Sequence, residues 1–98
     1  MANVLFTISY EIKPIKRDEY LNLASEMKNH FVNVLGKQYD VFEQKGKPNV
    51  FTEVFTCNSI EEYDDLEDAS DEKIQELISK LEEMIVTKMK YQTLIGLE

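Results

Sequence analysis

A chain of 98 residues with 19 acidic against 11 basic side chains, 43% hydrophobic and 10% aromatic, has the length of one domain and enough apolar content for a globular core, which excludes a disordered chain. Its formal net charge of -8 excludes the basic stripe that nucleic acid or an anionic membrane surface requires. No apolar run nears the roughly 20 residues of a membrane span, and the single cysteine, Cys57, can form neither an internal disulfide nor a thiolate-rich zinc site.

The first element is a strand. From Val4 to Ile12 the residues alternate, with Val4, Phe6, Ile8, Tyr10 and Ile12 on one face and Leu5, Thr7, Ser9 and Glu11 on the other. Pro14 has no N–H to give and stops the ladder. The segment has no basic region ahead of its apolar stretch, so it reads as a strand and not as a signal peptide, and a cytoplasmic protein is expected.

From about Lys16 to Leu35 the period changes. Tyr20, Leu23, Ala24, Met27, Phe31, Val34 and Leu35 recur at three- and four-residue steps, the pattern of one apolar stripe on a helix. Asp18 and Glu19 favour its first turn through the helix dipole, and Gly36 is a natural stop.

Two strands follow, Tyr39 to Gln44 and Val50 to Cys57, joined by the turn Lys45-Gly46-Lys47-Pro48-Asn49. The second has two usable faces. Phe51, Glu53, Phe55 and Cys57 form one; Val50, Thr52, Val54 and Thr56 form the other. Alternation alone leaves open which of them meets the helices.

Ser59 with Glu62 three residues on is a capping box, and Ser70 ahead of Asp71 and Glu72 starts another helix. That helix carries Ile74, Leu77, Ile78, Leu81, Met84 and Ile85 as a stripe to about Val86, and Lys88 to Leu97 closes the chain as a strand. The acidic side chains between Glu61 and Glu72 number eight, as many as the whole net charge. They lack the central glycine of a calcium loop and read as a solvated helix face.

The order β-α-β-β-α-β with right-handed crossovers predicts one ferredoxin-like α+β domain over residues 1–98, a four-stranded antiparallel sheet with its helices on one face. The other face would stay partly apolar, and a homodimer pairing two sheets face to face would cover it.

The stretch Phe51-Thr-Glu-Val-Phe-Thr-Cys-Asn-Ser-Ile-Glu-Glu-Tyr63 resembles the third strand and following helix start of the dimeric α/β-barrel superfamily, and is most similar to its antibiotic biosynthesis monooxygenase-like members. Glu53 and Phe55 match the glutamate and aromatic of that strand; Ser59, Glu62 and Tyr63 match the helix start. The resemblance implies small dimers with a pocket in each subunit between sheet and helices, some of them cofactor-independent oxygenases of quinol-like substrates. Haem-degrading members share an asparagine, tryptophan and histidine set, and this chain has no tryptophan.

The expected function is therefore binding, and cofactor-free oxygenation, of a small apolar or aromatic molecule. The alternative is a non-catalytic ligand-binding or structural dimer. Glu53, set between two phenylalanines, is the candidate proton acceptor, since a carboxyl among aromatics has a raised pKa unless paired. His30, the only histidine, is the second candidate base, its unperturbed pKa lying near neutrality. Tyr10, Tyr39, Phe51, Phe55 and Tyr91 are the candidate pocket lining. Neither a metal nor a cofactor is expected, because no histidine or thiolate cluster exists in the sequence.

Overall fold

The computed structural model describes residues 3–68 and 71–97. Strands β1 (Val4–Glu11), β2 (Gln38–Glu43), β3 (Val50–Cys57) and β4 (Lys90–Ile95) form one antiparallel sheet in the order β2-β3-β1-β4. Helices α1 (Arg17–Lys28), α2 (Ile60–Asp68) and α3 (Glu72–Glu82) make the crossovers. This is the ferredoxin-like α+β arrangement, with an additional short helix in the second crossover.

Register decides which side chains share a face. Phe6 lies opposite Phe55, Ile8 opposite Glu53 and Tyr10 opposite Phe51, while Tyr39 lies opposite Phe55 on the other side of β3 and Tyr91 opposite Ile8. The face bearing Phe51, Glu53, Phe55 and Cys57 is the one the helices cover, and all four are buried. Tyr20, Leu23 and Met27 of α1 and Leu77 and Leu81 of α3 close over it.

The first helix departs from the expected single α-helix over 16–35. A 3-10 turn over Pro14–Lys16 leads into α1, and Asn29–Val34 continues as a π-helix in which the Leu35 amide donates to the His30 carbonyl, 3.0 Å away. A π-turn advances five residues per hydrogen bond instead of four. The stripe that an α-helix would carry from Met27 through Phe31 to Val34 is thereby rotated, and Val34 ends 64% exposed while Leu35 turns inward. Gly36 (φ +68°) ends the segment in a left-handed conformation that glycine adopts without strain.

At Ser59 the cap forms with one variation. Ser59 Oγ accepts from the Glu62 amide at 3.1 Å, but the Glu62 carboxylate reaches the amide of Asn58 (2.8 Å), one residue ahead of the cap. The third helix begins at Asp71, whose Oδ1 accepts from the Ile74 amide at 2.7 Å; Ser70 lies outside the described residues. It stops at Glu82, not Val86, because residues 84–86 turn to run beside β1, with the Lys13 amide donating to Met84 O and the Val86 amide to Glu11 O, each at 2.8 Å. The last strand is correspondingly shorter than 88–97.

Candidate functional site

Between the covered sheet face and the helices lies a cavity of about 190 Å³. Its floor is Phe6, Ile8, Glu53, Phe55 and Tyr91 of the sheet; its roof comes from Met27 and Phe31, Leu66, and the Ile74-Leu77-Ile78-Leu81 stripe of α3. The walls are rigid aromatic surfaces. The Phe31 ring meets Phe55 edge-on at 5.0 Å between centroids, and Phe6 stacks between Phe55 (6.2 Å) and Tyr91 (6.1 Å). An apolar void of about 150 Å³ is enough to hold benzene, so this one admits a small aromatic molecule.

Among the described residues, two charged ones line it, Glu53 and Lys37. Alternation along β3 points Glu53 inward with Phe51 and Phe55, and the side chain is 4% exposed. The Tyr39 hydroxyl donates to Glu53 Oε1 at 2.7 Å. Burial raises the Glu53 pKa above the ordinary 4.5, opposed by hydrogen bonds from Tyr39 and Tyr10, and no cation enters the balance. Beyond Glu53, Tyr10 and Tyr20 share a hydroxyl–hydroxyl hydrogen bond of 2.7 Å, and burial with the neighbouring carboxyl pushes the phenols of Tyr10, Tyr20 and Tyr39 upward. The result is an acid at the cavity floor that accepts from Tyr39 and Tyr10, with Tyr20 behind them bonded to the Tyr10 hydroxyl, all three phenols keeping their protons.

The remaining candidates fall in different places. Phe55 and Tyr91 line the cavity, Tyr91 at its open side with 63% of its surface exposed. Tyr10, Tyr39 and Phe51 sit in the closed core beside it. His30 lies outside the cavity lining and is buried, its Nε2 3.1 Å from Asp71 Oδ2. It thereby ties the π-segment to the residue that caps α3, and Asp71 is held below the usual carboxylate range first by the Ile74 amide and then by His30. Burial, and then Glu62, push the Cys57 thiol up, which makes it a poor nucleophile. Among the described residues no three His, Cys, Asp or Glu side chains are grouped to hold a metal ion, and no helix is long and apolar enough to cross a membrane.

Sequence patterning did not reveal Phe6, Phe31 or Lys37 as lining. The first two are ordinary members of apolar stripes, and Lys37 follows a glycine in a linker. Only the pairing of Phe6 with Phe55, a signal of register, could have drawn attention to them.

A four-stranded antiparallel sheet with its helices on one face and a cavity between the layers defines the class: the chain has the fold of antibiotic biosynthesis monooxygenase-like proteins. A crystal structure of an antibiotic biosynthesis monooxygenase superposes with a TM-score of 0.79 at 17% identity, over 100% of both chains. A conserved protein from Methanosarcina mazei Go1 gives 0.80 at 17% identity, over 96% of this chain and 92% of that one. A NIPSNAP family protein from Agrobacterium tumefaciens str. C58 gives 0.77 at 20% identity, over 98% and 87%. No protein-family model and no curated protein matches the chain. At these identities the likeness is one of fold.

Proposed function

We propose that the cavity binds a small, largely apolar or aromatic molecule and that the chain oxygenates it without a cofactor, with Glu53 as the proton acceptor. The observation that carries this reading is a carboxyl of raised pKa, uncompensated by any cation, on the floor of an aromatic-walled cavity. A base is most effective when its pKa lies near the working pH, and burial moves Glu53 in that direction. In the reaction Glu53 takes a proton from an activated phenolic or benzylic position. The resulting anion reduces dioxygen; one oxygen atom enters the ring system as a carbonyl and the other leaves as water. Both atoms are reduced by electrons from the substrate, so a ring CH2 becomes C=O with one O2 consumed and one H2O released. The antibiotic biosynthesis monooxygenase of the same fold supports oxygenation as the class.

The reading includes a homodimer. Leu5 and Val54 are half-buried on the face away from the helices, and Phe42 and Leu94 are 55% and 43% exposed there. A cytoplasmic location completes it, on the ground that Cys57 is free.

Oxygen uptake with one-ring quinol-type compounds tests the function. Turnover that rises with pH and falls at least a hundredfold in Glu53→Gln is the expected result; undiminished turnover in that variant removes Glu53 from the role. The second reading, a non-catalytic ligand-binding or structural protein, is favoured by one observation: no buried side-chain polar atom in the described residues lacks a partner. Ligand binding without oxygen uptake across such a panel would select it.

A further inference from the structure

The cavity contains a second charged group that the proposed chemistry does not use. Lys37 follows Gly36, and its amide donates to the Phe31 carbonyl at 2.8 Å, so the backbone that carries it is pinned at the end of the π-segment. The residue is half-buried at the edge of the cavity beside Phe31, Leu35 and Phe55, near enough to Cys57 to act on its thiol, and it also borders a second pocket with Val32, Tyr39 and Val54. Among the described residues its ammonium forms no ion pair, neither with Glu53 in the same cavity nor with any carboxylate outside it. The lysines that do form ion pairs, Lys16, Lys28, Lys73 and Lys80, lie on the outer surface with carboxylates within 4 Å. Among the described residues Lys45, Lys47, Lys88 and Lys90 also form no ion pair, but of these lysines Lys37 is the one that lines this apolar cavity.

Resting on the reading of the cavity as a ligand site, we propose that Lys37 is its specificity-determining residue and that the ligand is an aromatic molecule carrying one anionic substituent, a carboxylate or phenolate, which pairs with the Lys37 ammonium. The cavity is apolar elsewhere, so the aromatic body fills it while the two polar residues each address a different end of the ligand. Glu53 and Lys37 form no ion pair with each other, so a ligand spanning them holds its anionic group apart from the carboxyl and its reacting C–H or O–H toward it. The preference runs against the net charge of -8, which by itself would disfavour anions.

Calorimetric titration at neutral pH with 2-naphthoate and its uncharged counterpart 2-naphthamide tests this on the wild-type chain, Lys37→Met and Lys37→Arg. Among the described residues the Lys37 side chain makes no hydrogen bond or ion pair, so neither variant removes one; circular dichroism of each variant checks that the fold is kept. The expected result is that naphthoate binds at least about tenfold more tightly than the amide, that Lys37→Met abolishes the difference while binding the amide unchanged, and that Lys37→Arg retains it. Equal affinity for the two probes in the wild type, or a preference that survives in Lys37→Met, overturns this inference and leaves the cavity reading standing. Binding of neither probe overturns both.

Discussion

Glu53 shows how one side chain couples folding to chemistry. Burial raises its pKa above 4.5, so the folded chain holds this proton more tightly than the unfolded chain does. Its contribution to stability is complete below the unfolded value and is lost as pH rises through the folded one, at about 1.4 kcal/mol for each pH step within that window. Glu43 has the opposite sign: hydrogen bonds from Arg17 and from the Asn49 amide lower it to about 2, so its contribution is present above the ordinary value and lost as pH falls toward 2. In Glu53→Gln the urea midpoint is therefore expected to decline less with pH above 4.5 than in the wild type, while the acid limb stays the same. Parallel curves for the two proteins would mean that Glu53 ionises as freely folded as unfolded. Tyr39→Phe removes the 2.7 Å donor to Glu53 Oε1, at a cost of about 1–3 kcal/mol for the buried acceptor left behind. Because that hydrogen bond holds the carboxyl pKa down, its loss raises Glu53 further, and the pH profile of turnover moves to the alkaline side.

The elements are held in place by contacts that cross long stretches of chain. Arg17, at the start of α1, forks onto Glu43 at the end of β2, with Nη2 2.8 Å from Oε1, and its Nη1 also donates to Asn49 Oδ1 at 3.0 Å. The same Glu43 carboxylate accepts the Asn49 amide at 2.9 Å. Asn49 has φ +69°, a conformation that asparagine tolerates better than most residues. The clamp thus fixes the hairpin between β2 and β3, and with it the β3 register that points Glu53 inward. Arg17→Ala is expected to return the Glu43 pKa from about 2 toward the ordinary carboxylate range, read by NMR titration, and to speed amide exchange at Asn49. An unmoved Glu43 pKa would show that the Asn49 amide alone sustains it. At the far end of the same helix the π-turn has a comparable effect on position, since it brings Leu35 and Lys37 to the cavity wall and turns Val34 away.

At the scale of the molecule the sheet has two unlike sides. The shortest extent is 20 Å, room for one sheet and one helix layer at roughly 10 Å each. Among the described residues no second layer covers Leu5, Phe42, Val54 and Leu94. If two copies pair through this face, Val54→Lys sets a charge into the contact; sedimentation at micromolar concentration should then find pairs for the wild type and single copies for the variant, with unchanged circular dichroism. Single copies of the wild type would refute the pairing, and the cavity, which lies on the opposite side of the sheet, would be unaffected.

Alternation in β1 and β3 and the three-four spacing in α1 and α3 were legible residue by residue, because the period of a strand or helix is a local property that burial of one face imposes on neighbouring positions. From that order the sheet-and-helix layering followed, and Glu53 stood out because a carboxylate between two phenylalanines breaks an apolar face. The choice between the two faces of β3 was not legible, since both are apolar enough and only the helices' arrival over Phe51, Glu53 and Phe55 separates them. The same holds for the Tyr39 hydroxyl on Glu53, the Arg17 clamp, the partner of His30 and the unpaired Lys37. Each depends on distances between residues far apart in the chain, which strand register and a single π-turn set and no local pattern encodes.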